Sequence, residues 1–244
     1  MEREVSGHRV AAIVLAAGKG KRMGTSIQKQ YLELDGKPLI YYALKAFEES
    51  PVEEIILVTG KEEVEFCRKE IVERYGLKKV SKIVAGGAER YHSVFEGLKA
   101  LDHCDYVLIH DGARPCVTRA VIEAAMEGAV DYDACVIGMP VKDTVKIADE
   151  SEYASVTPDR SRLWQIQTPQ AFQYSLIYEA YQKLFTSAEY QTGVTDDAMV
   201  VESMTDRRVK LIRGDYSNIK VTTPEDMVIA RVLMEQKEKE TGSR

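Results

Sequence analysis

The residues best placed to do chemistry lie near the start of the chain, in Leu15-Ala-Ala-Gly-Lys-Gly-Lys-Arg-Met-Gly24, followed shortly by Gln28-Lys-Gln-Tyr31. Gly18, Gly20 and Gly24 let backbone N–H groups approach an anion closely, and Lys19, Lys21, Arg22 and Lys29 crowd four cations onto the same stretch. Such a loop is suited to gripping a polyphosphate. Its spacing excludes the commoner glycine loops. A P-loop requires G-x-x-x-x-G-K-[ST], and here Gly24 leads into Thr25 and Ser26 with no lysine between. A dinucleotide fingerprint requires G-x-G-x-x-G, and the third glycine here comes one residue too late.

Two further strings carry chemistry. In Ala85-Gly-Gly-Ala-Glu-Arg-Tyr-His-Ser93, Gly86 and Gly87 leave backbone groups for a flat ligand, and Ser93 adds a hydroxyl one turn into a helix. In His110-Asp-Gly-Ala-Arg-Pro115, Asp111 follows an apolar strand and precedes Gly112, a place suited to a divalent cation or to substrate hydroxyls. Arg114 either orders this loop or faces an acceptor phosphate. His110 reads as a structural hydrogen-bond partner, because a phosphate nucleophile needs no base at neutral pH.

The opening string, with its Lys-Gln-Tyr continuation, resembles the nucleotidyltransferases that activate sugar or polyol phosphates, in their cytidylyltransferase branch. With Pro140-Val-Lys-Asp-Thr144, Thr168-Pro-Gln170, Thr195-Asp-Asp197 and Asn218-Ile-Lys-Val-Thr222 in the same order, the chain resembles the 2-C-methyl-D-erythritol 4-phosphate cytidylyltransferases from Val10 to about Asp226. The resemblance implies a Rossmann-like three-layer α/β fold with a projecting β-arm, and transfer of the cytidylyl group of CTP to the polyol phosphate with release of pyrophosphate. It implies Arg22 and Lys29 as catalytic cations, and Ala16, Ala17, Gly18, Gly20, Gly86, Gly87, Ser93 and Asp111 around CTP. Mg²⁺ would sit at Asp111. Gly112, Arg114, Thr144, Arg160, Thr168, Thr195 and Lys220 would surround the acceptor, with Arg160 and Thr168 lent by the arm of a second subunit in a homodimer. Where some relatives have an acidic residue before Asn-Ile-Lys, this chain has Ser217, to which no role is assigned. Two rival functions are a ribitol 5-phosphate cytidylyltransferase and a non-catalytic nucleotide-binding module. Ala16-Ala17 and the His110 to Pro115 string speak against the first, and the set Arg22, Lys29 and Asp111 against the second.

These residues need a scaffold, and the hydrophobic pattern supplies one. Val10 to Ala16, Glu54 to Thr59, Lys79 to Val84, Tyr106 to His110 and Ala134 to Gly138 read as strands. Pro38 to Glu49, Lys61 to Tyr75, Glu89 to Leu101 and Arg119 to Val130 read as helices between them. This alternation predicts a mostly parallel sheet covered on both faces, with ligands at the carboxyl ends of its strands. After Gly138 the rhythm breaks. Residues 143–168 are expected to form the arm, with a polar tip between Asp149 and Arg162 and a returning strand from Leu163 to Thr168 before Pro169. Helices follow at Tyr174 to Phe185, Asp196 to Glu202 and Pro224 to Gln236, with a strand at Val209 to Ile212 and a frayed end from Lys237. Thr195 before two aspartates reads as an N-cap signal.

The bulk properties agree. At 244 residues, with 45% hydrophobic and 30% charged residues, the chain reads as a single globular domain. A net charge of −6 excludes a nucleic-acid binder that relies on a broad basic face. Cys67, Cys104, Cys116 and Cys135 lack metal spacing and read as reduced core thiols. Met1 to Gly7 is polar with no apolar signal core, and no run of eighteen apolar residues occurs, so the expected location is the cytoplasm, with no membrane partner.

Overall fold

A computed structural model describes residues 5, 7–18 and 28–242. Gly20 and Arg22 lie outside the described residues. β1 (Val10–Ala16), β4 (Glu54–Thr59), β6 (Tyr106–Asp111), β7 (Ala134–Pro140) and β10 (Trp164–Gln173), all largely buried, form one sheet with the more exposed β5 (Val80–Ala85) and β11 (Lys210–Arg213). Its order is β11-β7-β10-β6-β1-β4-β5. Only β10 runs against its neighbours, so the carboxyl ends of the other six strands share one edge. Two short ribbons lie outside the sheet: β2 (Glu33–Leu34) with β3 (Lys37–Pro38), and β8 (Ile147–Ala148) with β9 (Ala154–Val156).

Alternation along β1 shows how the layers arise. Val10, Ala12, Val14 and Ala16 pack into one core, with α1 (Leu39–Glu48) and α4 (Arg119–Tyr132). Ala11 and Ile13 pack into the other, with α3 (Arg90–Ala100), α5 (Tyr174–Leu184) and α6 (Asp197–Met204). The last helix, α7 (Pro224–Gly242), closes a smaller cluster around Leu34, Leu39 and Val221. The architecture is therefore the expected three-layer α/β sandwich with a mostly parallel sheet. Among the described residues no helix is long and apolar enough to cross a membrane.

Four expectations need correction. The strand after Leu163 does not stop at Thr168 but continues through Pro169 to Gln173 and lies in the middle of the sheet. Its register with β7 jumps between Ile166 and Gln170, so Pro169 falls where the ladder needs no donor from it. The arm is accordingly shorter than 143–168, because Trp164 to Thr168 belong to the sheet. The stretch from Lys61 to Tyr75 is composite, a 3-10 turn (Lys61–Glu63) leading through α2 (Val64–Phe66) into a π-helix (Cys67–Glu73) that turns Cys67 and Ile71 inward. Finally, the segment from Lys237 is helical as far as Gly242, and Lys237 Nζ donates to Cys116 O at 2.7 Å.

The arm leaves and rejoins the sheet at one point, where Val141 N–H donates to Leu163 O at 3.0 Å. Between these residues almost every side chain is exposed, including Tyr153 at 74% and the apolar Ile147 and Val156. The arm has no core of its own.

Candidate active site

The strand ends build a cavity of about 660 Å³ whose walls include Ala16, Ala17, Gly18, Lys29, Gly86, Gly87, Ser93, Asp111 and Lys220. Nine sequence-selected residues thus meet in one place. The side chain of Gln30, buried beneath them, donates to Ala16 O and, at 3.1 Å, to Gly18 O, which ties down the start of the glycine loop. Tyr31 anchors the other end of the motif by accepting from the Cys67 thiol at 3.2 Å; burial pushes its phenol well above the usual range. Lys29 Nζ donates to Val221 O at 2.9 Å and so faces the cavity from its α7 side. The Lys-Gln-Tyr triplet therefore divides its work between one cation and two structural side chains.

The Gly86-Gly87 pair is explained by close approach. A Cβ on Gly86 would stand 2.5 Å from Ser93 Oγ and 2.7 Å from Ala17 Cβ, and one on Gly87 would stand 2.3 Å from His92 Cβ. Gly86 N–H donates to Thr59 O at 2.7 Å and Gly87 N–H to Ser93 Oγ at 3.2 Å, so the segment is held against α3.

Asp111 ends β6 inside a cage of cations. Lys220 Nζ lies 2.8 Å from Oδ2, Arg90 Nε 3.3 Å from Oδ1 and Arg114 Nε 3.9 Å from Oδ2. Burial alone would raise the carboxyl pKa, but Arg90, Lys220 and Arg114 together hold it far below the usual range, so Asp111 is ionised. Arg114 is buried and donates to Asn218 O at 2.8 Å, a contact that orders the loop. Gly112 is buried beside it and donates to Leu15 O at 2.9 Å, joining the Asp111 loop to β1.

Thr168 stands behind Asp111 and not on the arm. Its hydroxyl accepts from Asp111 N–H at 3.1 Å and pairs with His110 Nδ1 at 3.0 Å. This corrects the expectation that a neighbouring subunit lends Thr168, because the residue is buried in its own chain's central strand. Thr144 and Arg160 do lie on the arm, exposed and away from the cavity lining, and Arg160 Nη1 donates to Lys142 O at 2.8 Å. Thr195 is exposed just before α6, whose cap is Asp196, accepting from Met199 N–H at 2.9 Å.

His110 is fully buried, and its Nε2 faces the Arg114 carbonyl at 3.4 Å. A carbonyl only accepts, so Nε2 carries the proton and Nδ1 accepts from Thr168, giving a neutral ring. Burial pushes its pKa from 6.5 down to about 3. The unfolded chain takes up this proton below about pH 6.5 while the folded one does not, so stability is lost as pH falls through that window, by about 1.4 kcal/mol per pH unit. Urea unfolding at pH 6.5 and pH 5 is expected to differ by roughly 2 kcal/mol more for the wild type than for His110→Gln. Equal pH dependence of the two proteins would refute the neutral histidine.

Sequence reasoning missed Arg90, which lies within the Gly-Gly-x-Glu-Arg string and lines the cavity. Its guanidinium spans Asp111 and Asp197, residues far apart in sequence. No local pattern records that meeting.

A mostly parallel sheet whose strand ends gather Gly18, the Gly86-Gly87 turn, Lys29 and a caged carboxylate around one cavity defines an α/β fold of the nucleotidyltransferase class. Residues 10–236 match the family model described as 2-C-methyl-D-erythritol 4-phosphate cytidylyltransferase. The protein of that name from Lachnospira eligens is 55% identical over 224 residues, covering 91% of this chain and 98% of its own. Its namesake in Lachnoclostridium phytofermentans is 47% identical, with 93% and 97% covered. A solved structure of 4-diphosphocytidyl-2C-methyl-D-erythritol synthase from Anaerococcus prevotii superposes with a TM-score of 0.82 at 37% identity, covering 95% of this chain and 98% of that one. This chain belongs to the 2-C-methyl-D-erythritol 4-phosphate cytidylyltransferase family.

Proposed function

We propose that the protein transfers the cytidylyl group of CTP to 2-C-methyl-D-erythritol 4-phosphate, giving 4-diphosphocytidyl-2-C-methyl-D-erythritol and pyrophosphate in non-mevalonate isoprenoid synthesis. The observation that carries this is the convergence in one cavity of the glycine platform at Gly86 and Gly87 with Lys29, Lys220 and ionised Asp111. An acceptor phosphate oxygen forms the new bond to the α-phosphorus of CTP as the bond to pyrophosphate breaks. The nucleophile is already anionic, so positioning and charge neutralisation are the whole task. In this reading Gly18 and Gly20 wrap the triphosphate, Arg22 and Lys29 stabilise the reacting phosphate, and Ala16, Ala17, Gly86, Gly87 and Ser93 hold the nucleoside. Gly112, Arg114 and Thr168 support the acceptor side through Asp111, and Lys220 faces the acceptor.

Among the described residues no three acidic, histidine or cysteine groups converge to hold a metal by themselves. The cavity wall offers one ionised carboxylate, Asp111, and Mg²⁺ commonly takes one carboxylate and completes its shell with substrate phosphates and water, the triphosphate offsetting the charge of the three cations already around Asp111. We assign Asp111 as that ligand; bound there, Mg²⁺ would supply charge neutralisation at the triphosphate. Four free thiols suit a reducing cytoplasm. Pyrophosphate release is expected with methylerythritol phosphate and CTP and to be absent with ribitol 5-phosphate; the opposite preference would overturn the assignment.

The working unit in this reading is a two-fold dimer in which Arg160, and Thr144 near it, serve the partner's site while Thr195 serves its own. The support is an arm with exposed apolar residues and an arginine remote from its own cavity. Arg22→Ala and Arg160→Ala are each expected to be nearly inactive. Co-expression makes about half the dimers mixed, each with one intact site, so about a quarter of wild-type activity should return. No recovery in verified mixed dimers would rule out sharing.

A further inference from the structure

Arg90, the first residue of α3, faces two carboxylates at once, and the reaction described above gives it no task. Its Nη1 and Nη2 donate to the two oxygens of Asp197 at 2.9 and 2.7 Å, and its Nε donates to Asp111 Oδ1 at 3.3 Å. Asp197 is 0% exposed and cannot follow a moving partner. Tyr181 Oη donates to Asp197 Oδ1 at 2.6 Å, and Gln170 Oε1 accepts from the backbone N–H groups of Asp197 and Ala198, each at 3.0 Å. The planar guanidinium is thus clamped from behind by a two-bond fork, which fixes where its Nε–H points.

The two oxygens of Asp111 are held very differently. Oδ1 is tied at 3.3 Å through Arg90 to the buried framework, whereas Oδ2 pairs at 2.8 Å with Lys220, whose side chain is 37% exposed, and has only the more distant Arg114 Nε, at 3.9 Å, behind it. Asp197 offsets part of the charge that Arg90 brings to the cage, so the clamp orients Asp111 as well as helping to keep it ionised. We propose that Arg90 is a positioning residue for the transfer reaction: anchored on Asp197, it fixes Asp111 through Oδ1, so that Oδ2 is the oxygen presented to the reacting groups when Lys220 swings away. The inference rests on the cytidylyl-transfer reading of this site.

Two variants test it. Arg90→Lys keeps a cation beside Asp197 but cannot reach both carboxylates together. The double variant Arg90→Gln with Asp197→Asn removes both charges of the buried pair and leaves neither uncompensated. Thermal unfolding, CTP binding by calorimetry without acceptor, and steady-state turnover are measured on each. Both are expected to fold, to bind CTP within about threefold of wild type, and to lose roughly 10²-fold in kcat, the scale of a misplaced reacting group. A folded variant of either kind with kcat within about threefold of wild type would overturn the proposal. So would a loss of CTP affinity matching the loss of kcat, which would make Arg90 a support of the nucleotide loop. An Arg90→Lys protein that does not fold would also overturn it, by showing that Arg90 holds the fold. Failure of the underlying reading is seen separately, as wild-type protein that binds CTP yet releases no pyrophosphate with acceptor, and the inference falls with it.

Discussion

CTP is expected to be used roughly 10⁴ times more efficiently than UTP, the discrimination available to a site built to hydrogen-bond one base edge. Cytosine presents an amine donor at N4 and an acceptor at N3, and uracil presents the reverse. In the proposed reading the paired glycines carry this discrimination. Gly86 and Gly87 spend their N–H groups within the protein, on Thr59 O and Ser93 Oγ. What the pair can turn toward a base is therefore carbonyl oxygen, which accepts from the cytosine amine and repels the uracil carbonyl. Backbone polarity cannot be inverted by a side-chain movement. Competing CTP against UTP in one pyrophosphate-release assay measures the ratio, and comparable turnover of the two would remove cytosine recognition from this platform.

Lys29→Ala and Arg22→Ala are each expected to lower turnover by about 10² to 10³, the loss that follows removal of one preorganised donor from a developing charge. For Lys29 the structure shows how the preorganisation arises. Its ammonium is steadied by Val221 O, while the neighbouring Gln30 and Tyr31 are locked beneath the loop, so the lysine points into the cavity before any ligand arrives. CTP affinity should fall much less, since several groups share the triphosphate. Near-normal kcat in Lys29→Ala would show that the cation serves binding alone.

Much of this design is visible in the chain before folding, and the reasons for the exceptions are physical. The bounds of β1 and β4 follow from runs of apolar residues bracketed by charged or glycine positions. β10 is harder, because proline normally argues against a central strand, and Pro169 is accommodated by a register jump in which the four steps from Ile166 to Gln170 oppose only two on β7, from Gly138 to Val136. The cavity residues announce themselves through motif spacing. Arg90 does not, for its role depends on Asp197, 107 positions away, whose local context reads simply as the start of a helix. Gln30 is similar: nothing in Lys-Gln-Tyr says that the middle residue will reach back to the carbonyls of Ala16 and Gly18.

The arm begins at Val141 and ends at Leu163, two residues joined by a backbone hydrogen bond at the mouth of adjacent strands. An insertion with touching ends can lengthen, shorten or change sequence without shifting the register of the sheet that carries Asp111 and Thr168. Evolution can therefore revise it as a detachable label. The sheet is insulated from its own insertion, so trimming the arm between Val141 and Leu163 is expected to leave the folding of the sheet intact.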